Sequence, residues 1–216
     1  MANTILQITK VDSQLMDQIK SSYGQLPETG HADGKYRLRK YSKVKAADPR
    51  SRGSWWIDQL DIDTFTQSEK YNKHQGGMSR KFDPIDRDVI QSDAMREMVT
   101  AFYDACSLND GHEMDIHQMR AICRGGGATQ LSPEGWHQDG YDCIAMIGIN
   151  RCNIIGGEIL LSTSKTQPPF LQAVMDPGTM VIVDDSHLWH NGRSVQPLDN
   201  SKPAYMDAMV FTMKKS

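Results

Sequence analysis

The sequence predicts a mainly β fold with flanking helices, its strands arranged as a jelly roll. Three observations carry this expectation. From Met114 onward, apolar residues fall in short runs separated by Gly and Pro turns, including Gly125-Gly126-Gly127, Gly156-Gly157 and Asp176-Pro177-Gly178, a pattern of sandwiches and barrels. Before them, Ile85 to Ser107 carries Met95, Met98, Val99, Phe102 and Cys106 at helical spacing, as expected of a helix packed across a sheet. Finally, the box His137-Gln138-Asp139 lies far from His190 in the chain, and a jelly roll can return distant strands to each other's side.

Taken in order, Ile5 to Ile8 reads as a short strand. Asp12 or Ser13 can cap a helix carrying Leu15, Met16 and Ile19 and ending near Gly24. Pro27 to Gly34 is a loop rich in turn residues. The alternation from Lys35 to Lys45 suits a strand, with Arg37, Arg39 and Tyr41 on one face and Tyr36 and Leu38 on the other. The plainer reading is a solvated edge strand whose charges resist aggregation. The sharper one points Arg37 or Arg39 into a pocket, toward a carboxylate. Asp48 to Gly53 is polar and loop-like, and Trp55-Trp56 reads as a packing anchor. Phe65 to Phe82 is irregular, with Gly76-Gly77 turning between short strands.

The later strands are His117 to Cys123, Cys143 to Ile149, Glu158 to Ser162, Met180 to Val183, a segment opening at Trp189-His190, and Tyr205 to Met213. Gly125-Gly126-Gly127 reads as a mobile lid or linker. The 216 residues fit one domain, with 1–112 an annex whose helices pack on the sheet and 113–216 the β core.

Composition excludes several classes of function. A formal charge of -3 argues against a phosphate-dominated nucleic-acid surface, though not against a small anion held by a few arginines. No apolar run reaches membrane-spanning length and no signal peptide is visible. Cys106, Cys123, Cys143 and Cys152 form no CxxC pair, so structural zinc and a disulfide scaffold are not expected, and the usage points to a cytoplasmic protein. Ser162 and Ser164 have no nucleophile-elbow context, and Arg124 to Gly127 lacks the Lys-Ser/Thr ending of a phosphate loop.

What remains is metal chemistry. Residues i and i+2 of a strand share a side, so His137 and Asp139 present an imidazole and a carboxylate together. A second imidazole completes a two-His, one-carboxylate face whose remaining positions are open, as non-haem Fe(II) oxygenases require. His187 competes with His190 for that place, but His190 opens a strand while His187 sits in the preceding turn. Gly156-Gly157-Glu158 could offer a third acid to the metal; the plainer reading is that the Gly pair permits close backbone approach at a strand start.

These residues, with Arg37-Leu38-Arg39-Lys40-Tyr41-Ser42, Gln67-Ser68, Tyr71-Asn72, Gly76-Gly77, Arg80, His117-Gln118-Met119-Arg120 and Asn153 with Gly156-Gly157-Glu158, carry a resemblance. The chain resembles the bacterial Fe(II)- and 2-oxoglutarate-dependent dioxygenases that include free amino-acid hydroxylases such as isoleucine 4-hydroxylase. The resemblance runs from about residue 35 to the end of the chain. It implies a double-stranded β-helix (the cupin-like jelly roll), with Fe(II) held by His137, Asp139 and His190. It also implies 2-oxoglutarate and O2 as co-substrates, and hydroxylation of a small molecule such as an amino acid or derivative.

One position departs from the family, which carries an arginine on the last strand to pair with the distal carboxylate of 2-oxoglutarate; here that position is Met206. Arg120, with Gln118 and Arg193, is the expected substitute for co-substrate binding; Arg151 and Lys202 are further candidates. Arg37, Arg39 and Arg80 are candidates for a substrate carboxylate. The other readings are an iron-binding cupin-like protein and a pseudoenzyme or sensor without turnover. Partners are a small molecule and, in some form, a second copy in a homo-oligomer; neither nucleic acid nor membrane is expected.

Overall fold

The computed structural model describes residues 5–47, 57–72, 76–108 and 111–214; Asp48 to Gly53 and Trp55-Trp56 lie outside them. The chain opens with β1 (Leu6–Lys10) and α1 (Ser13–Lys20), which runs into a 3-10 turn at Ser21–Gln25. The Asp12 side chain starts α1 by accepting from the Gln14 N–H at 2.9 Å, which satisfies one of the open donors of a first turn. There follow β2 (Arg37–Ala46), β3 (Ile57–Gln59), β4 (Thr64–Phe65), β5 (Arg80–Lys81), α2 (Arg87–Ile90) and α3 (Asp93–Cys106). The helical region expected from Ile85 is split, because Ser92 leaves the helix to cap α3, accepting from the Met95 N–H. Ser107, in the left-handed region at φ 54, ends it.

The remaining strands are β6 (His112–Ile122), β7 (Cys143–Cys152), β8 (Ile154–Gly156), β9 (Ile159–Ser162), β10 (Leu171–Ala173), β11 (Thr179–Asp184), β12 (Trp189–Gly192), β13 (Val195–Pro197) and β14 (Tyr205–Met213). β6 begins ahead of the expected His117, because His112 to Asp115 already pair with Lys43 to Ala46 of β2. The β8–β13 pair was not expected.

Seven strands form one sheet in the order β1-β11-β7-β14-β6-β2-β3, and three form a smaller one, β10-β9-β12. The two sheets face each other as a jelly roll around a cavity lined from both. Alternation sorts each strand between two sides. On β14, Met206, Ala208, Val210 and Thr212 line the cavity, while Met209, Phe211 and Met213 join the core beneath the helices. On β6, His117, Met119 and Ala121 face the cavity, with Met114 and Ile116 in that core. The helical side of the sheet is closed by Met16 and Ile19 of α1 and by Met95, Met98, Val99 and Phe102 of α3.

The first 112 residues thus do more than supply packing helices: β1 pairs with β11 and β2 with β6, extending the large sheet at both ends. β2 is not the solvated edge strand of the plainer reading. It pairs with β6 along its length and with β3 over Val44 to Ala46; Arg37 and Arg39 line the cavity, while Leu38, Val44 and Ala46 enter the core. Among the described residues no helix is long and apolar enough to cross a membrane.

Phe102 is fully buried and meets Phe211 edge-on at 5.8 Å between ring centroids, so it couples α3 to β14. Phe102→Ala is expected to lower unfolding stability by about 3–5 kcal/mol, the usual cost of emptying a buried aromatic site. Urea denaturation reads this directly; a loss below about 1 kcal/mol would show that the helix–sheet interface collapses to fill the space.

Candidate active site

The candidate metal-ligand set is assembled by one small piece of antiparallel pairing. The His137 N–H donates to the His190 carbonyl and the His190 N–H to the His137 carbonyl, both at 3.0 Å. The two imidazoles consequently lie with centroids 4.1 Å apart. Asp139 projects to the same place: its Oδ1 lies 3.7 Å from His137 Nε2 and its Oδ2 3.5 Å from His190 Nε2. One ligand atom from each of the three residues falls within 4.8 Å of the others.

Each ligand is held from behind. His137 Nδ1 lies 2.8 Å from the Gly135 carbonyl; a carbonyl only accepts, so Nδ1 carries the proton and Nε2 keeps its lone pair for a metal. The Gln67 amide donates to Asp139 Oδ1 at 2.8 Å, and Asn72 donates to Gln67 Oε1 at 2.9 Å. Asp185, whose side chain is completely buried, accepts through Oδ2 from the N–H groups of Asp139, Gly140 and Tyr141 at 2.8, 2.7 and 3.2 Å. Its Oδ1 lies 3.5 Å from His190 Nδ1. One carboxylate therefore grips the backbone of the His-x-Asp turn and stands behind the second histidine at ion-pair distance, without a hydrogen bond to its Nδ1, on the side where outer carboxylates orient metal-bound histidines. Gly140 is required in that turn: its φ is +85°, and a Cβ there would lie 2.4 Å from the Tyr71 ring.

Burial opposes ionisation of Asp139, but His190, His137 and the Gln67 amide outweigh it and hold the carboxyl below its usual range. Burial and the neighbouring His190 lower His137, keeping it neutral. Burial pushes Asp185 up to about 6, with His190 and the donated backbone N–H groups acting against it.

Beyond the triad, the cavity of about 160 Å³ is lined by Arg37, Arg39 and Arg80 and by Met119, Met146 and Met206, among others. Arg37 pairs with Asp33 at 3.0 Å. Arg39 lies over the Phe82 ring and Arg80 over Phe65. His117 sits between Tyr41 and Phe65 with Nδ1 unpartnered; burial, with Arg39 and Arg80 adding, lowers it well below the usual histidine range. Glu134 borders the triad, its Oε1 3.3 Å from His137 Nε2.

The other predicted residues are dispersed. Arg120 borders the cavity, but its guanidinium grips Asp207 at 2.6 and 2.8 Å and covers the Tyr205 ring. Gln118 falls on the opposite face of β6, where its amide donates to Ser22. Arg193 is half-exposed, against Glu158 and Gln172. Neither Gln118 nor Arg193 is among the cavity-lining residues. His187 is exposed and paired with Asp184, and Glu158 stands with Arg193 rather than with the triad. Lys202 is exposed beside Asp199. Gly125 and Gly126 form a turn at positive φ. Asp185 was missed because a carboxylate in a turn carries no local sign of the backbone it will hold; the nearest signal was its position five residues ahead of His190 in Asp184-Asp185-Ser186-His187.

Residues 20–212 match the family model of the 2OG-Fe dioxygenases. The chain belongs to this family. The dioxygenase is therefore an oxidoreductase of a family that uses Fe(II), 2-oxoglutarate and O2. Among solved structures, it is similar to a bsmA homolog from Methylobium petroleophilum PM1, at 24% identity and TM-score 0.79, over 94% of this chain and 82% of that one. IDO from Bacillus thuringiensis is 15% identical with TM-score 0.72, over 96% and 90% of the two chains. The Fe(II)/(alpha)ketoglutarate-dependent dioxygenase TqaL is 13% identical with TM-score 0.68, over 94% and 74%. At these identities the likeness is one of fold. No curated protein matches the chain.

The residues present fit the metal. Two imidazoles and one ionised carboxylate form a facial donor set suited to Fe(II), and the proton on His137 Nδ1 leaves the required nitrogen free. Asp185→Asn and Gln67→Ala are each expected to weaken Fe(II) affinity about 10–100-fold while the fold persists, as losses of outer supports do. Anaerobic titration against a competing chelator measures this; affinities within about twofold of wild type would remove both residues from the site's support.

Proposed function

We propose that the dioxygenase hydroxylates a small carboxylate-bearing molecule, a free amino acid or close derivative, in the cytoplasm. The observation that carries this reading is Arg39. It lines the cavity, is buried, and makes no hydrogen bond or ion pair among the described residues. Burial, with Arg37 and Arg80 adding, presses its pKa down to about 9. A buried guanidinium without a carboxylate is costly, and the two-pronged fork suits a carboxylate better than any neutral group. Arg80, also buried, supplies a second cation on the same wall.

In this reading His137, Asp139 and His190 hold the iron. Iron with 2-oxoglutarate and O2, when bound, supplies the oxidising power for attack on a C–H bond. Arg39 and Arg80 fix the substrate's carboxylate, and so decide which carbon faces the metal. Phe65, Met119 and Met146 line the space between and limit water around the reacting atoms. The four free cysteines suit a reducing compartment. The family match does not favour an iron protein without 2-oxoglutarate turnover.

Succinate formation from 2-oxoglutarate, by anaerobically iron-loaded protein after O2 addition, tests the reading. A pool of free L-amino acids should stimulate turnover. Arg39→Ala should raise the amino-acid requirement about tenfold or more, because truncation strips a buried charge pair. Turnover indifferent to the pool, or a requirement unchanged in Arg39→Ala, would refute the assignment.

A further inference from the structure

We infer that Arg151, reaching across from β7, binds the distal carboxylate of 2-oxoglutarate in the place where β14 offers only Met206. This rests on the chain being a 2-oxoglutarate oxygenase and adds the identity of its anchoring cation. The co-substrate is a dicarboxylate; once one end chelates a metal, the other needs a positive partner within the cavity. β14 offers none, since its cavity face is Met206, Ala208, Val210 and Thr212.

The neighbouring strand does. Arg151 is the register partner of Met206 across the β14–β7 pair, and the two side chains converge. A Cβ added to Gly157 would lie 2.7 Å from Met206 Sδ and 3.1 Å from Arg151 Nη1. Gly157, at φ +77°, leaves open the space where they meet. Two of the three guanidinium nitrogens have neighbours: Nη2 donates to the Gly156 carbonyl at 2.7 Å, and Nε lies 3.8 Å from Asp176 Oδ1. Nη1 is buried and has no hydrogen-bond partner. The Gly156 contact fixes the guanidinium, leaving Nη1 beside a thioether chain with three rotatable bonds. Arg151 itself does not line the cavity, but Met206, which shares the space at Gly157 with Nη1, does; movement of the Met206 side chain would open Nη1 toward the cavity.

The other cations are less suited. Arg120 has Nε and Nη2 on Asp207, so it braces β6 against β14. Arg37 is paired with Asp33, and Arg193 and Lys202 are exposed. Arg39 and Arg80 lie against Phe82 and Phe65, away from the β14–β7 seam.

The test is anaerobic binding to the Fe(II)-loaded protein, read by calorimetry and by the absorbance of the iron–oxoacid chelate. The probes are 2-oxoglutarate and pyruvate; pyruvate keeps the chelating end and lacks the distal carboxylate. Wild type should prefer 2-oxoglutarate. Arg151→Ala should lose about tenfold or more of its 2-oxoglutarate affinity and leave pyruvate unchanged. The double variant Arg151→Met with Met206→Arg, which returns the cation to β14, should recover much of the loss. If Arg151→Ala binds 2-oxoglutarate like wild type, or loses both probes equally, the proposal is wrong. If Arg39→Ala alone abolishes the preference, the anchor is on β2 and the proposal is likewise wrong. If iron-loaded wild type binds pyruvate and 2-oxoglutarate equally, or neither, the co-substrate reading fails and the proposal with it.

Discussion

The two main-chain hydrogen bonds between His137 and His190 are the constraint on which the site depends. They join the box that follows the Gly-rich turn to the start of β12 and bring together side chains far apart in the chain. Either histidine alone would be an ordinary polar residue near a strand end. Their pairing fixes the separation of the two imidazoles, and Asp185 then fixes the turn that carries Asp139. Because these supports are backbone groups and a buried carboxylate, the donor set is organised before any metal arrives, which lowers the reorganisation a metal must impose.

The cavity behind the triad is unusual in its charge. Three arginines reach it from β2 and β5, and a fourth, Arg120, borders it. Arg37 and Arg120 are neutralised in place, by Asp33 and Asp207. Arg39 is instead buried against an aromatic ring with no carboxylate at ion-pair distance among the described residues, although Asp33 and Asp139 act on it from farther away. Proteins tolerate such a cation poorly unless something repays its desolvation, and anionic ligands would do so. Cations of one type thus stand in different settings: Arg37 and Arg120 in ion pairs, Arg39 against an aromatic ring. Position on the sheet, more than residue type, separates the two.

Much of this was legible in the sequence. Helical spacing located α3, turn residues delimited most strands, and β14 was bounded at Tyr205 and Met213 as observed. His137, Asp139 and His190 could be named from their spacing and order, but the strand period invoked for His137 and Asp139 is not the reason they converge. His137 makes a single β-bridge and the chain then enters a loop, which Asp185 holds so that Asp139 meets the histidines. The alternation of β2 placed Arg37 and Arg39 on one face, but which face looks inward depends on what covers each side, and α1 and α3 decided that. Gln118 failed for the same reason: one step along β6 from the cavity-facing His117, it points to Ser22 instead. Asp185 and the convergence of Arg151 with Met206 were illegible in kind, since each depends on long-range register that no local pattern encodes.

The most direct measurement is the Fe(II) stoichiometry of the anaerobically reconstituted chain, compared with His137→Ala, Asp139→Ala and His190→Ala, with His187→Ala as control. One iron per wild-type and His187→Ala chain, with tight binding lost in each of the other three, is the expected result. Iron retained at full affinity in any of those three, or lost in His187→Ala, would contradict the triad as the metal centre.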